Sequence, residues 1–556
     1  MAEFVGIGVS PGRAVGPVVR MPDPIGEPPA GPGRFDGGSV AALAERITVA
    51  SERVRADLSA RAVRAGGDGK AILEAAALMA VDPALVEDAR QRVSAVVSPA
   101  RAVWEAAGDV TARLGSLGGY LADRAGDVAD VRDRIVAELS GLPAPGLPER
   151  SEPYVLLARD LAPADAAMLG ASPCVAVVLA EGGPTSHTAI LLRSLGRPAV
   201  VAAQGALTLA NETIVAVDGS SGTVRTDPGP AEAEQSRVTP RRTRSFDGRG
   251  RTADGHRVPL MANVGGPADA DAAVVVAAEG VGLFRTEFCF LAQPQPPTVD
   301  EQVAAYRRVF AAFRDRRVVV RTLDVGADKS PPFLDLPEEP NPALGIRGVR
   351  LRLHSEQVLT DQLAAIAIAA KRETAEVWVM APMVSTVDEA ADFVARCAAV
   401  GLDTAGVMIE VPAAALSAAE ILRFARFASI GTNDLAQYAM AADRSSAALA
   451  GLTDPWQPAV LRLVELACQA GRSRDRPVGV CGEAAADPAL ACVLVGLGAS
   501  SLSMTPQAIP DVAEALRATS RDQCVGVAEL ALSATGARQA RLSVRSELPR
   551  LTELGL

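Results

Sequence analysis

The chain has 556 residues, too many for one ordinary domain and enough to bury more than one core. Its net charge of −11 speaks against a broad basic face for nucleic acid, and no apolar run of about eighteen residues offers a membrane span. The seven cysteines are scattered with no CxxC, and Met1-Ala-Glu-Phe-Val-Gly lacks the basic-then-apolar start of a secretory signal, so reduced thiols and a cytoplasmic location are expected.

Residues 1–22 alternate apolar and small residues between Gly and Pro, and read as short strands and turns. Residues 23–36 are rich in Pro and Gly, a connector. From about 37 to 142 apolar residues recur at three and four, as in Ala71-Ile-Leu-Glu-Ala-Ala-Ala-Leu-Met, which predicts a bundle of amphipathic helices. After Pro143-Ala-Pro-Gly-Leu-Pro, strand patterns return at Tyr154-Val-Leu-Leu-Ala, Cys174-Val-Ala-Val-Val-Leu and Thr213-Ile-Val-Ala-Val. The helical block, 23–149, is therefore read as an insert in a strand-rich domain made of 1–22 and 150–228. The polar, basic segment 229–253 reads as a linker and a plausible hinge.

Eight β-branched runs, each followed by a helix-length segment, fill most of the remainder: 258–263, 280–285, 318–324, 377–383, 406–410, 428–434, 478–483 and 501–504. Strand-then-helix eight times predicts a (β/α)8 barrel over 254–525. Residues 526–556 are a C-terminal extension with no assigned role. The runs end in Asn263, Arg285 with Glu287, Asp324, Glu410, Asn433 with Asp434, and Cys481 with Glu483. Barrel enzymes gather their chemistry at the C-terminal ends of strands, so these residues are expected to meet at one mouth.

Of three histidines, His187 stands out, in Gly182-Gly-Pro-Thr-Ser-His-Thr. A histidine at a helix start lies beside free N–H groups that favour an anion, and its neutral ring is a nucleophile. The plain alternative is a capping histidine. His256 and His354 read as ordinary exposed residues. Glu410 and Asp434 suit Mg²⁺, which takes one or two carboxylates plus substrate oxygens; the alternative is a carboxylate paired with arginine. Arg285, Arg321, Arg347 and Arg444 supply guanidiniums that grip phosphate and carboxylate bidentately. Cys481 is either a packed small residue or, as a protonated thiol, a proton donor to carbon.

Gly182-Gly-Pro-Thr-Ser-His-Thr resembles the phosphohistidine signature shared by enzyme I, phosphoenolpyruvate synthase and pyruvate phosphate dikinase. Asp403 to Ala415 and Phe427-Ala-Ser-Ile-Gly-Thr-Asn-Asp-Leu-Ala-Gln-Tyr resemble the second signature of that superfamily. Glu279-Gly-Val-Gly-Leu-Phe-Arg-Thr-Glu-Phe, Arg321-Thr-Leu-Asp-Val-Gly-Ala-Asp-Lys, Asn341-Pro-Ala-Leu-Gly-Ile-Arg and Val480-Cys-Gly-Glu are similar to the enzyme I family of the phosphoenolpyruvate-dependent phosphotransferase system. The likeness runs from Gly6 to about residue 520.

The resemblance implies a multidomain α/β chain: a phosphohistidine α/β swivelling domain with an inserted all-α helical bundle, then a (β/α)8 TIM barrel that binds phosphoenolpyruvate. It implies that His187 is phosphorylated. Arg285, Arg321, Asn433, the backbone at Asp434, and Arg444 would hold phosphoenolpyruvate, supported by Lys329 and Arg347. Glu410 and Asp434 would ligate Mg²⁺, and Cys481 would protonate the enolate to give pyruvate. The helical insert would dock the phosphocarrier HPr, and the chain would form a homodimer through the barrel. One departure is Ala76, where family members often carry a histidine on a docking helix. The alternative is a catalytically inactive or regulatory paralogue acting as a sensor or scaffold. A dikinase would need an ATP-grasp domain, and 23–149 reads instead as helices.

Overall fold

The structure is a computed structural model that describes the whole chain except residues 1, 11, 23, 24, 30–38, 66, 95, 118–124, 144, 149, 162, 183–187, 190, 191, 193, 194, 230–243, 291–294, 326–330, 338, 445, 447 and 448. The chain divides into two compact units, Met1–Arg241 and Arg242–Leu556.

The first unit is built on an eight-stranded mixed sheet in the order β1-β8-β7-β3-β4-β5-β6-β2. Its strands are β1 (Glu3–Val5), β2 (Ile7–Ser10), β3 (Arg13–Arg20), β4 (Tyr154–Ala158), β5 (Cys174–Leu179), β6 (Ala199–Val201), β7 (Ile214–Asp218) and β8 (Thr223–Thr226). Strands β3 and β4 are parallel neighbours, yet more than a hundred and thirty residues separate them. Among the described residues, five helices lie in that gap: α1 (Val40–Ala65), α2 (Gly67–Met79), α3 (Pro83–Arg92), α4 (Pro99–Leu117) and α5 (Ala125–Ser140). Their apolar stripes close on a core of their own that includes Ile47, Leu58, Leu73, Val103 and Ile135. Ala76 belongs to that core at 5% exposure, whereas Leu78 on the same helix is 71% exposed. Position 76 therefore offers no side chain to solvent.

A buried ion pair joins the helices to the sheet region. Arg134 on α5 reaches Asp165, in the short helix Pro163–Met168, at 3.0 Å, and also pairs with Asp130 at 2.9 Å. Burial of both charges costs free energy that the pairing must offset, so the contact sets orientation more than it adds stability.

The second unit is a closed barrel of eight parallel strands: β9 (Leu260–Val264), β10 (Gly280–Arg285), β11 (Arg317–Arg321), β12 (Glu376–Ala381), β13 (Ala405–Ile409), β14 (Ala428–Ile430), β15 (Val478–Val480) and β16 (Leu502–Met504). These are the eight apolar runs of the sequence. Parallel strands covered by helices read as continuous Val/Ile/Leu stretches, because both faces are buried. Leu283, Val319, Met380, Met408, Phe427 and Cys481 fill the barrel interior.

Residues 526–556, the C-terminal extension, are mostly helical. They form part of helix Arg521–Ser533 and the helices Ala537–Glu547 and Pro549–Glu553, and Val544, Leu548, Leu551 and Leu556 join the barrel core. Arg541 makes a buried pair with Asp454 at 3.1 Å. Arg244, at the start of the unit, pairs with Asp511 at 2.7 Å and donates to the Leu554 carbonyl. No helix among the described residues is long and apolar enough to cross a membrane.

Candidate active site at the barrel mouth

The C-terminal ends of the strands carry a row of alternating charges. Arg321, the last residue of β11, donates to Glu287 at 2.9 Å and lies 3.1 Å from Asp324. Asp324 takes Arg347 at 3.0 Å, and Arg347 reaches Asp434 at 3.4 Å. Asp434 in turn lies 3.4 Å from Arg444. Three guanidiniums thus alternate with three carboxylates from the end of β10 to the loop after helix Thr432–Ala439.

The charges sustain one another. Burial disfavours the charge on Asp324, but Arg321, Arg347 and Arg444 outweigh it and hold the carboxyl below its ordinary range. Burial likewise opposes Arg321 and Arg347, and the facing carboxylates outweigh it, so both guanidiniums stay charged.

Glu410 follows β13 and is 1% exposed. Its Oε1 accepts from the Met383 N–H at 2.7 Å. Met383 reaches that position with a φ of 61°, a left-handed conformation rare outside glycine. A Cβ added to Gly431 would lie 2.8 Å from Glu410 Oε2, so glycine leaves the room this carboxyl occupies. Burial, then Asp434 and Asp324, push the Glu410 carboxyl up to about 8 against the pull of Arg321 and Arg347. Desolvation is the largest of these causes, and the neighbouring carboxylates add to it.

Cys481 follows β15, 3% exposed, with Sγ 3.5 Å from the Ile430 carbonyl oxygen. Burial pushes its thiol up to about 11, moderated by a hydrogen bond from Ser429. It is therefore protonated at neutral pH. Its charged surroundings include Glu410, Arg321 and Arg285, which ties it to the mouth. Arg285 ends β10 with its side chain exposed. Asn433, one residue before Asp434, accepts from the Glu483 N–H at 3.1 Å.

Of the residues singled out in the sequence, Arg285, Arg321, Arg347, Glu410, Asn433, Asp434, Arg444 and Cys481 all lie at this end of the barrel. His187 and Lys329 lie outside the described residues. Beside His187, Thr188 Oγ1 donates to the Leu161 carbonyl at 3.1 Å, and Gly182 has a φ of +89°. His256 and His354 are exposed.

Several supporting residues escaped the sequence reading. Tyr438 places its hydroxyl 3.3 Å from Arg347 Nη1 and donates to the Ala343 carbonyl. The signal was present, since Tyr438 stands one helical turn after Asp434. Below the row, Gln362 donates to Thr286 Oγ1 at 3.0 Å and to Tyr306 Oη at 3.1 Å, and accepts from the Leu323 N–H at 2.9 Å. Thr286 Oγ1 donates to the Arg321 carbonyl at 2.9 Å. This buried network locks the backbone that carries Arg321. Its members are far apart in sequence, so no local pattern announces it.

The family model described as "PEP-utilising enzyme, PEP-binding domain" matches residues 241–521, "PEP-utilising enzyme, mobile domain" matches 150–222, and "PEP-utilising enzyme, N-terminal" matches 5–124. A phosphoenolpyruvate-protein phosphotransferase of Streptomyces coelicolor is 48% identical over 98% of this chain and 98% of its own length. One of Haloferax volcanii is 38% identical over 95% of this chain and 96% of its own. Among solved structures, an NMR solution structure of Enzyme I covers 42% of this chain and 96% of that chain, with 28% identity and a TM-score of 0.37. With three matched segments in order and near-full-length identity of 48%, the chain belongs to the phosphoenolpyruvate-protein phosphotransferase family of PEP-utilising enzymes.

Proposed function

We propose that this phosphotransferase moves the phosphoryl group of phosphoenolpyruvate onto its own His187, releases pyruvate, and passes the phosphoryl group to the phosphocarrier HPr for sugar uptake. The observation that carries this reading is the alternating row Glu287–Arg321–Asp324–Arg347–Asp434–Arg444 beside Glu410 and Cys481. Phosphoenolpyruvate brings a phosphate and a carboxylate on one small frame. Arg285, Arg321, Arg347 and Arg444 match both groups, with Asn433 and the backbone at Asp434 adding polar contacts and Lys329 assigned from its motif.

Glu410 and Asp434 fit Mg²⁺. They are buried all-oxygen donors, and the raised Glu410 carboxyl marks a pocket that a cation would relieve. Bound there, Mg²⁺ would neutralise charge on the phosphoryl and enolate oxygens.

The chain's own residues supply the rest. The arginines hold the phosphoryl group and carboxylate in line for transfer, largely a matter of positioning and electrostatics. The bond between phosphorus and the enol oxygen breaks as one forms to the His187 ring nitrogen. The enolate then takes a proton at C3 from the Cys481 thiol and becomes pyruvate. A thiol held near 11 keeps its proton until a strong carbon base is in front of it. The helical insert would receive HPr, and the protein would work in the cytoplasm as a homodimer through its barrel.

The test is incubation with ³²P-phosphoenolpyruvate and Mg²⁺, without ATP. The expected result is acid-labile, base-stable label that is lost in His187→Ala and passes to added HPr, with pyruvate formed in step. A folded, Mg²⁺-loaded protein that takes no label overturns the reading.

A further inference from the structure

Asn263 is the penultimate residue of β9 and belongs to none of the roles assigned above. Its Nδ2 donates to the Cys481 carbonyl at 3.0 Å, and its Oδ1 accepts from Ser503 Oγ at 2.6 Å. The Cys481 N–H donates to the Ile430 carbonyl at 3.0 Å. The backbone on both sides of the thiol is therefore tied, by Ile430 of β14 and by Asn263 of β9. Strand β16 stands between β9 and β15, so Asn263 reaches across it, and Ser503 of β16 orients the amide in passing. Space for Ser503 comes from β10: a Cβ on Gly282 would lie 2.6 Å from both Cβ and Oγ of Ser503.

The arrangement has a direct consequence for the thiol. A cysteine side chain has three staggered χ1 positions, and a shift of its peptide re-aims all of them. Sγ is fixed among Leu283, Val319, Met380 and Met408, facing the Ile430 carbonyl. We propose that Asn263, held by Ser503, is the positioning residue for Cys481 and sets the face from which C3 of the enolate receives its proton. This rests on the role given to Cys481 above. In that step the S–H bond breaks and a C–H bond forms from the C2–C3 double-bond electrons. The enolate oxygen becomes the ketone, and the thiolate later recovers a proton from water.

Asn263→Asp keeps the size of the side chain and an acceptor for Ser503, but removes the Nδ2 donor. Ser503→Ala leaves the amide in place without its orienting partner and introduces no charge. Both variants are compared with the full-length protein for KM, kcat, and the stereochemistry of protonation. The last uses (Z)-[3-²H]phosphoenolpyruvate turned over in tritiated water, followed by analysis of the chiral methyl group of pyruvate. The expected result for Asn263→Asp is a kcat lowered about tenfold or more, a KM within about twofold, and partial loss of stereochemical purity. Ser503→Ala is expected to shift in the same direction by less. Full stereochemical purity in both variants overturns the proposal, whatever happens to kcat, because a merely structural role lowers the active fraction without changing the face. Cys481→Ala separates the two claims. Wild-type pyruvate formation by that variant overturns the role of Cys481 itself, whereas its loss alongside intact purity in Asn263→Asp overturns the role of Asn263 alone.

Discussion

Asp324 grips Arg347 with both carboxylate oxygens, Oδ1 at 3.3 Å from Nε and Oδ2 at 3.0 Å from Nη2. The same Oδ2 lies 3.1 Å from Arg321. One carboxylate therefore spaces two of the guanidiniums proposed to meet the substrate, before any substrate arrives. Such preorganisation removes an ordering cost from binding.

Asp324→Asn tests that spacing. Two arginines lose their shared counter-charge, so inorganic phosphate is expected to compete at lower concentration. At the same time kcat falls about tenfold, because the guanidiniums are no longer held in register. Removing one partner of a buried cluster also lowers unfolding free energy by about 3 kcal/mol. Because the folded carboxyl sits below its unfolded range, this stabilisation is complete above about pH 4 and is lost as the pH falls further. Inhibition kinetics and urea unfolding at several pH values check these outcomes.

Mg²⁺ binding should depend on pH through Glu410. With its carboxyl near 8, a proton occupies it across the neutral range and must leave when the metal enters. Calorimetry in buffers of different ionisation enthalpy is expected to show proton release at pH 7, with affinity at least about tenfold weaker at pH 6 than at pH 8. Without metal, the folded state holds this proton more tightly than the unfolded state. Stability therefore falls as pH rises from about 4.5 to about 8, and Glu410→Gln should flatten that slope.

Cys481→Ala is expected to leave substrate binding nearly unchanged and to slow pyruvate formation by about a hundredfold or more, the usual scale of a lost general acid. Rapid-quench measurement of pyruvate against phosphorylated protein separates the carbon step from phosphoryl transfer. A pyruvate rate equal to wild type would count against the assignment.

Gly431→Ala offers a test by packing alone. The new methyl would lie 2.8 Å from Glu410 Oε2 and 3.1 Å from Met408 Sδ, too close for either to stay. Displacing the carboxylate should weaken Mg²⁺ binding and lower kcat together, with the fold retained by circular dichroism. The sequence shows only a glycine; its constraint comes from a carboxylate just past the end of the neighbouring strand β13.

Much of this was legible before any coordinates. The eight apolar runs are the eight barrel strands, since a strand buried on both faces must be apolar throughout and so leaves an unbroken signature. The strand-end residues Arg321, Glu410, Asp434 and Cys481 announced themselves because polar groups directly after such a run have one natural place to go, the barrel mouth. The family motifs lie in the same local stretches.

Other features depend on chain segments hundreds of residues apart. No spacing rule connects Asn263 to Cys481, Gln362 to Thr286, or Arg244 to Leu554, because closing the barrel and docking its last helices is what brings them together. The C-terminal extension shows the same limit: its scattered Leu548, Leu551 and Leu556 look like a partly polar tail until the barrel helices supply the surface that buries them. Sequence alone determined the eight barrel strands and the helical insert, because those follow from local periodicity and residue type, while the type of chemistry came from the resemblance of its motifs to a known family. Only the tertiary structure decided which charge faces which, and hence that Asp324 is shared and that Glu410 is raised, because Coulomb energy and desolvation depend on distance in space and not along the chain.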